Sequence, residues 1–378
     1  GHMANVLGHN PEVVTSELAR AFGGGFGLQH GMTDRLQAEV SEILCRRTGA
    51  DRVRLTTSGT LATMYGMMLA RAFTGRDLVM MVGGGWHGAQ PWSLKGVSYH
   101  ARDDFAFGEV DTEGLPDAVT DDVVVTSFND PERLREDFAR YGDRLACFIV
   151  EPFIGAGGLI PSTRDYLQLA GELTRKHGAL LILDEFISGF RCRAGNLGAL
   201  YGVEADLACY GKAIGGGMPV AALAGRGDVM ALIGRAGGSR VAVLGGTYCA
   251  HPASMLAAKA YMNHLIENED EVYPYLAEQG ARTREILESA FATEGILARC
   301  TGYPNEAIPG SSLAMLHFPL RPDIEIDSPD VAADPNCCLM KVREQVFRLS
   351  MLLEDIYTVH GLGALSTAHT EEDLEHLY

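Results

Sequence analysis

Five short apolar runs, at 78–82, 123–127, 146–151, 179–184 and 207–210, limit what this chain can fold into more than any other feature. Each is rich in Val, Leu, Ile, Met or Ala and is bounded by polar or turn-forming residues, the signature of a strand. Beside them lie amphipathic stretches at 61–73, 131–141, 164–177 and 252–268. Strands exchanged regularly with helices predict a mainly parallel sheet with helices on both faces, the α/β class. In such sheets ligands sit beyond the carboxyl ends of the strands. Glu151 and Asp184 fall there.

After about residue 255 the pattern changes. A second helical stretch at 272–290 leads into a mixed region with fewer clear strands. This predicts an N-terminal segment (1–45), a large domain (46–255) and a smaller C-terminal domain (256–378), a division that 378 residues can support. Gly1-His2-Met3 reads as a cloning scar and is set aside. There is no leading basic-then-apolar segment, and no apolar run of bilayer-spanning length. Eight cysteines without a CxxC pair favour reduced thiols, hence a cytoplasmic enzyme. With 49 acidic against 31 basic residues the net charge is −18, and no basic stripe offsets it. Nucleic acid and anionic membranes are therefore poor partners. Small molecules are the better expectation.

The run from 179 to 219 carries the clearest chemistry. It sets Asp184 at the end of an apolar strand, then Lys212 between Gly211 and the triple glycine 215–217. The chain has only five lysines; Lys176 and Lys259 fall on helices, and Lys95 and Lys341 have no comparable setting. A lysine in a desolvated pocket loses its proton readily and becomes a nucleophile. Pyridoxal 5′-phosphate needs such a lysine for its Schiff base, and an acid to keep its pyridine nitrogen protonated. Asp184 can serve as that acid; as a structural alternative it can pair with Arg191. Glu151, followed by Pro152, fits a supporting role.

Three glycine-containing segments add candidates. Ser58-Gly59-Thr60 precedes a helix, where free N–H groups bind phosphate, although the same residues also suit a plain N-cap. Gly245-Gly246-Thr247 precedes the helix starting at Pro252, and Thr247 can donate to a phosphate. The stretch 83–88, GGGWHG, presents Trp86 as a flat platform with His87 beside it. It also matches GxGxxG, with Asp103 and Asp104 at about the distance of a ribose-binding acid, which supports a rival NAD-dependent oxidoreductase. The succeeding residues, AQPWSLKG, make a poor dinucleotide helix. No metal-ligand spacing, Walker loop or GxSxG elbow occurs.

Taken in order, SGT, WHG, EP, DEFISGFR, YGVEADL, GKAIGGGMP and GTY resemble the class III, fold-type I, pyridoxal-phosphate-dependent aminotransferases, most closely the glutamate-1-semialdehyde aminomutase branch. The likeness runs over about 50–260 and returns at 366–374. It implies a mainly parallel, seven-stranded-type sheet between helices with a smaller α+β C-terminal domain. It also implies Lys212 as the Schiff-base lysine, Asp184 at the pyridine nitrogen and Trp86 stacked on the ring where the family usually has tyrosine. Gly59 and Thr60 would hold the phosphate, and Thr247 would reach the phosphate of a partner subunit, making a homodimer with shared sites. The substrates implied are an amine or amino acid and a carbonyl compound, in aminotransfer; aminomutase, racemase and decarboxylase chemistry share these motifs. Departures are Leu61 where the family's SGTEA has its acid, Ala156 where aminomutases carry Asn, and Cys249-Ala250-His251-Pro252 after GTY. Relatives also carry a longer segment before the equivalent of residues 8–14, from which aminomutases draw an arginine for the substrate carboxylate.

Overall fold

The apolar runs pair into one sheet, and their side chains divide with period two between its faces. The computed structural model describes residues 3–24, 27, 33–97, 107, 110, 112–233, 240–243 and 245–378. Seven strands, β1 (Arg52–Thr56), β2 (Leu78–Val82), β3 (Val123–Thr126), β4 (Leu145–Val150), β5 (Leu180–Asp184), β6 (Leu207–Tyr210) and β7 (Ala221–Gly225), lie in the order β1-β7-β6-β5-β4-β2-β3. The pairs β3/β2, β2/β4, β4/β5 and β5/β6 are parallel, whereas β7 runs antiparallel to both β6 and β1. Every residue of β2, β4 and β5 is buried, which is why they read as unbroken apolar runs.

Helices cover both faces. Met80, Phe148 and Leu181 face α4 (Pro131–Tyr141) and α5 (Arg164–His177), packing with Phe138 and Leu167. Their strand neighbours Met81, Ile149 and Ile182 face the opposite side, where α3 (Gly59–Thr74) contributes Met67, Leu69 and Ala70. Asp130 and Thr163 cap α4 and α5 by accepting backbone N–H groups, and Gly75 and Gly178 end α3 and α5 in the left-handed region. Two strands escaped the sequence reading. β1 (RVRLT) is an edge strand with exposed arginines, and β7 (AALAG) is alanine- and glycine-rich, with little intrinsic strand preference.

The N-terminal helices α1 (Glu12–Gly23) and α2 (Arg35–Thr48) pack on α6 (Pro252–Glu267). Tyr261 of α6 accepts hydrogen bonds from the Val6 and Leu7 amides, both 3.1 Å, and tethers the chain start to the core. Met3, set aside on sequence grounds, is in fact buried in that core. Beyond α7 (Glu269–Thr293), the strands β8 (Arg299–Thr301), β9 (Leu313–His317) and β10 (Leu362–Ala364) form a three-stranded antiparallel sheet. None of the eight cysteines is in a disulfide. Among the described residues no helix is long and apolar enough to cross a membrane.

The closest backbone approach in the C-terminal part is at Gly280, where a Cβ would lie 1.9 Å from the Ser311 carbonyl oxygen. Gly280→Ala must push α7 off the segment leading into β9. We expect it to lower unfolding stability by about 3 kcal/mol, the upper range for overpacking, as read by urea denaturation.

Candidate active site

The carboxyl ends of β2, β4, β5 and β6 converge, and each delivers one functional group. Asp184 is the last residue of β5 and is buried. Its Oδ2 lies 2.8 Å from His87 Nδ1, and its Oδ1 accepts from the Phe186 amide at 3.1 Å. A carboxylate only accepts, so His87 Nδ1 carries the proton in this pair. The other ring nitrogen, Nε2, is buried with no hydrogen-bond partner. Asp184 does not use Arg191, the alternative considered from sequence. That guanidinium turns instead to the Met3 and Asn5 carbonyls and the Ser312 hydroxyl.

The loop after β2 reaches this carboxylate because glycine lets it lie flat on α3. At Gly88 (φ +85°) a Cβ would come within 2.6 Å of Thr60 Cα, so 86–88 rests directly on the start of that helix. Thr63, one turn on, donates to the His87 carbonyl at 2.6 Å and fixes the imidazole's backbone. Pro91–Ser93 is only a short 3₁₀ turn, so among the described residues 89–97 no α-helix opens directly after GGGWHG and the dinucleotide reading fails. Asp103 and Asp104 lie outside the described residues.

Glu151 directly succeeds β4 and braces two loops. Its Oε1 accepts from the Trp86 amide and its Oε2 from the Gly155 amide, both at 3.0 Å. Burial, and then the charge of Asp184, push its pKa up to about 7 against those two donors.

Lys212 stands two residues beyond β6, at φ +43°, a left-handed conformation that the surroundings must impose. Just before it, at Gly211, a Cβ would fall 1.8 Å from the Phe186 ring. The ring of Phe186 also closes on Gly59, with a Cβ there at 2.9 Å, and has the Lys212 ammonium 5.2 Å from its centroid. Among the described residues no hydrogen bond holds Lys212 Nζ. Burial lowers its pKa, with Asp184 and Glu151 opposing. Phe186 escaped the sequence reading; its signal was the position two residues after Asp184, opposite two glycines.

Ser58 caps α3, accepting from the Leu61 amide at 3.4 Å, which is the bland reading of SGT. The cap leaves the first N–H groups of α3, at Gly59 and Thr60, without acceptors inside the helix. Thr247 is not drawn into the cluster. It is exposed in a turn before α6, while its neighbour Gly246 lies against Thr57 and Leu61 of the same chain.

These residues fit pyridoxal 5′-phosphate. Lys212 offers a desolvated amine, Asp184 a buried carboxylate, and the α3 N-terminus free N–H groups for a phosphate. The orphaned, buried His87 Nε2 marks a polar position that the site's own side chains leave unsatisfied.

Comparison with known proteins agrees. The family model Aminotransferase class-III matches residues 1–295. A glutamate-1-semialdehyde 2,1-aminomutase of Akkermansia muciniphila is 31% identical over 374 residues, which is 98% of this chain and 82% of the relative. The crystal structure of an omega-transaminase from Sphaerobacter thermophilus matches with a TM-score of 0.85 at 30% identity, over 99% of this chain and 82% of that one. A transaminase with PLP bound matches with a TM-score of 0.82 at 27% identity, over 99% and 82%.

Glu185, beside Asp184, provides a pH test of the site's rigidity. It is buried and accepts from the Leu197 and Gly198 amides, and burial pushes its pKa up to about 7. A carboxyl raised in the folded state favours folding at low pH, and that contribution is lost as pH rises from the unfolded value near 4.5 to about 7. Glu185→Gln, which cannot ionise but sets an amide NH2 against one of those two donors, should melt below the parent at pH 4.5 and close part of that gap as pH rises to ~7.5, where the difference levels off. Paired thermal melts across that range read the difference.

Proposed function

The chain belongs to the class-III aminotransferases, pyridoxal-phosphate-dependent enzymes, and on that premise we propose that it moves an amino group from an amino acid or primary amine to a carbonyl compound. The observation that carries this reading is a desolvated Lys212 amine beside a buried carboxylate that His87 holds in place. Bound pyridoxal phosphate supplies an electron sink conjugated to the substrate nitrogen.

The remaining work falls to the chain. Lys212, whose pKa burial lowers, would be the amine that holds the cofactor and gives way to the substrate amine. Once free, its Nζ would take the proton from the substrate carbon as base and return one as acid. His87 Nδ1–H and the Phe186 amide fix both Asp184 carboxylate oxygens, and a carboxylate so held would keep the cofactor's ring nitrogen protonated. Phe186 and Trp86 would flank the ring, and Gly59 and Thr60 would hold the phosphate from the α3 N-terminus.

Ala156 supports transfer over internal rearrangement, since the aminomutase pattern places Asn at that position. Aminomutase chemistry remains the second reading, favoured by the relatives' names. Holoenzyme incubated with a panel of amino donors decides between them. Conversion to the pyridoxamine form with release of a keto product is expected. Return to the starting spectrum with a rearranged amine would assign a mutase instead, and loss of carbon dioxide a decarboxylase. Lys212→Ala should lose at least ~10⁴-fold in turnover and resist fixation of the cofactor by borohydride.

We also propose a homodimer in which exposed Thr247 completes the partner's phosphate site. Thr247→Ala should then loosen cofactor retention about tenfold without changing a dimeric sedimentation coefficient. A monomeric holoenzyme at working concentration rules this out.

A further inference from the structure

A buried polar chain outside the catalytic cluster links the C-terminal sheet to the wall of the site. His317, the last residue of β9, is 1% exposed. Its Nδ1 faces Arg343 Nη1 at 3.0 Å. A guanidinium only donates, so Nδ1 accepts and the imidazole proton must sit on Nε2. That N–H faces Thr301 Oγ1 at 3.1 Å and the Gly158 carbonyl at 3.3 Å. The Thr301 hydroxyl in turn donates to Gly158 O. Each donor thus points the same way, from Arg343 through His317 and Thr301 to one backbone oxygen of the large domain. Burial and the Arg343 charge hold the His317 pKa well below its usual range, in keeping with a neutral ring.

The start of the chain is equally fixed. Arg343 is buried, with Nε and Nη2 on Glu344 Oε1 at 3.1 and 2.9 Å, and His360 Nδ1 meets Glu344 Oε2 at 2.8 Å. Gly361 (φ +72°) presses on the Arg343 stem, where a Cβ would lie 2.4 Å from Cγ.

The target is a loop already pinned at its other end. The Gly158 and Leu159 amides close a turn on the Gly155 carbonyl, at 3.2 and 2.9 Å. Gly155 N donates to Glu151, which also holds the Trp86 amide. Between the two pins, Gly157 lies on the glycine run before Trp86, with a Cβ there 2.8 Å from the Gly84 carbonyl. Gly155 lies on Ile187, three residues after Asp184, where a Cβ would meet its Cδ1 at 2.0 Å. A buried polar chain is costly unless every member is satisfied, and here it ends on a loop that fixes the site's geometry.

We propose that Thr301, His317 and Arg343 are positioning residues, which through Gly158 hold Ala156 and Gly157 in register with Trp86 and so set where the substrate sits. The proposal rests on the aminotransfer reading above for its effect on turnover, but its structural core can be measured without cofactor or substrate.

The test compares Thr301→Val, His317→Leu and His317→Gln. Glutamine can accept from Arg343 through its oxygen and donate to Thr301 through its amide, as the imidazole does. In the apo chain, amide hydrogen exchange at 155–159 and at Trp86 should quicken about tenfold in Thr301→Val and His317→Leu and stay near the parent rate in His317→Gln. In holoenzyme the first two should raise KM for the amine about fivefold with kcat altered less than twofold, and His317→Gln should restore KM. If His317→Leu does not fold, the near-isosteric Thr301→Val decides. Unchanged exchange at 155–159 in Thr301→Val overturns the proposal, as does equal loss in His317→Gln and His317→Leu. A chain that fails to transaminate but shows the exchange pattern would sink the proposed reaction and leave the pin standing.

Discussion

The contact on which the site depends is the 2.8 Å hydrogen bond between His87 and Asp184. A carboxylate at the end of a fully buried strand has lost its water and must find donors inside the protein. Asp184 finds two, the imidazole and the Phe186 amide. Bringing His87 there imposes the other contacts. The loop at 86–88 must lie on α3 without a side chain at Gly88, Thr63 must secure the His87 carbonyl, and Glu151 must take up the Trp86 amide. Asp184 and Glu151 hold the loop after β2 from the ends of β5 and β4, and Thr63 holds it from α3, so the sheet and this helix together act as a jig for the cluster.

Electrostatics and sterics act together at Lys212. Two acids, Asp184 and Glu151, tend to keep the amine charged, and burial tends to neutralise it; burial has the larger effect. The same lack of water raises Glu151 and Glu185 to about 7. Burial is enforced by the Phe186 ring, which fills the space that side chains at Gly59 and Gly211 would otherwise take. Glycine in this site serves close approach more than flexibility: Gly211 has extended backbone open to any residue, yet tolerates no Cβ.

Much of this was legible in the sequence for local reasons. β2, β4, β5 and β6 were visible because strands buried on both faces are short, uniformly apolar and bounded by polar residues. Lys212 stood out because the chain has few lysines and only one in a glycine setting. β1 and β7 were not visible, since an arginine-bearing edge strand and an alanine run carry no strand signature apart from their neighbours. Met3 looked dispensable as a leading residue, but is held by burial and by Arg191 on its carbonyl.

By itself, then, the sequence determined the sheet's central strands, the lysine, the acid and the ordered motifs that imply the cofactor, because each is written within a few consecutive residues. Only the tertiary structure decided the partners. His87 is 97 residues from Asp184, Glu151 is 65 from Trp86, and Thr301 is 143 from Gly158. Spacing along a chain does not encode such contacts. The first two exist because parallel strands deliver distant loops to one edge, the third because the antiparallel C-terminal sheet reaches the loop after β4. In each, the buried donors and acceptors must satisfy one another.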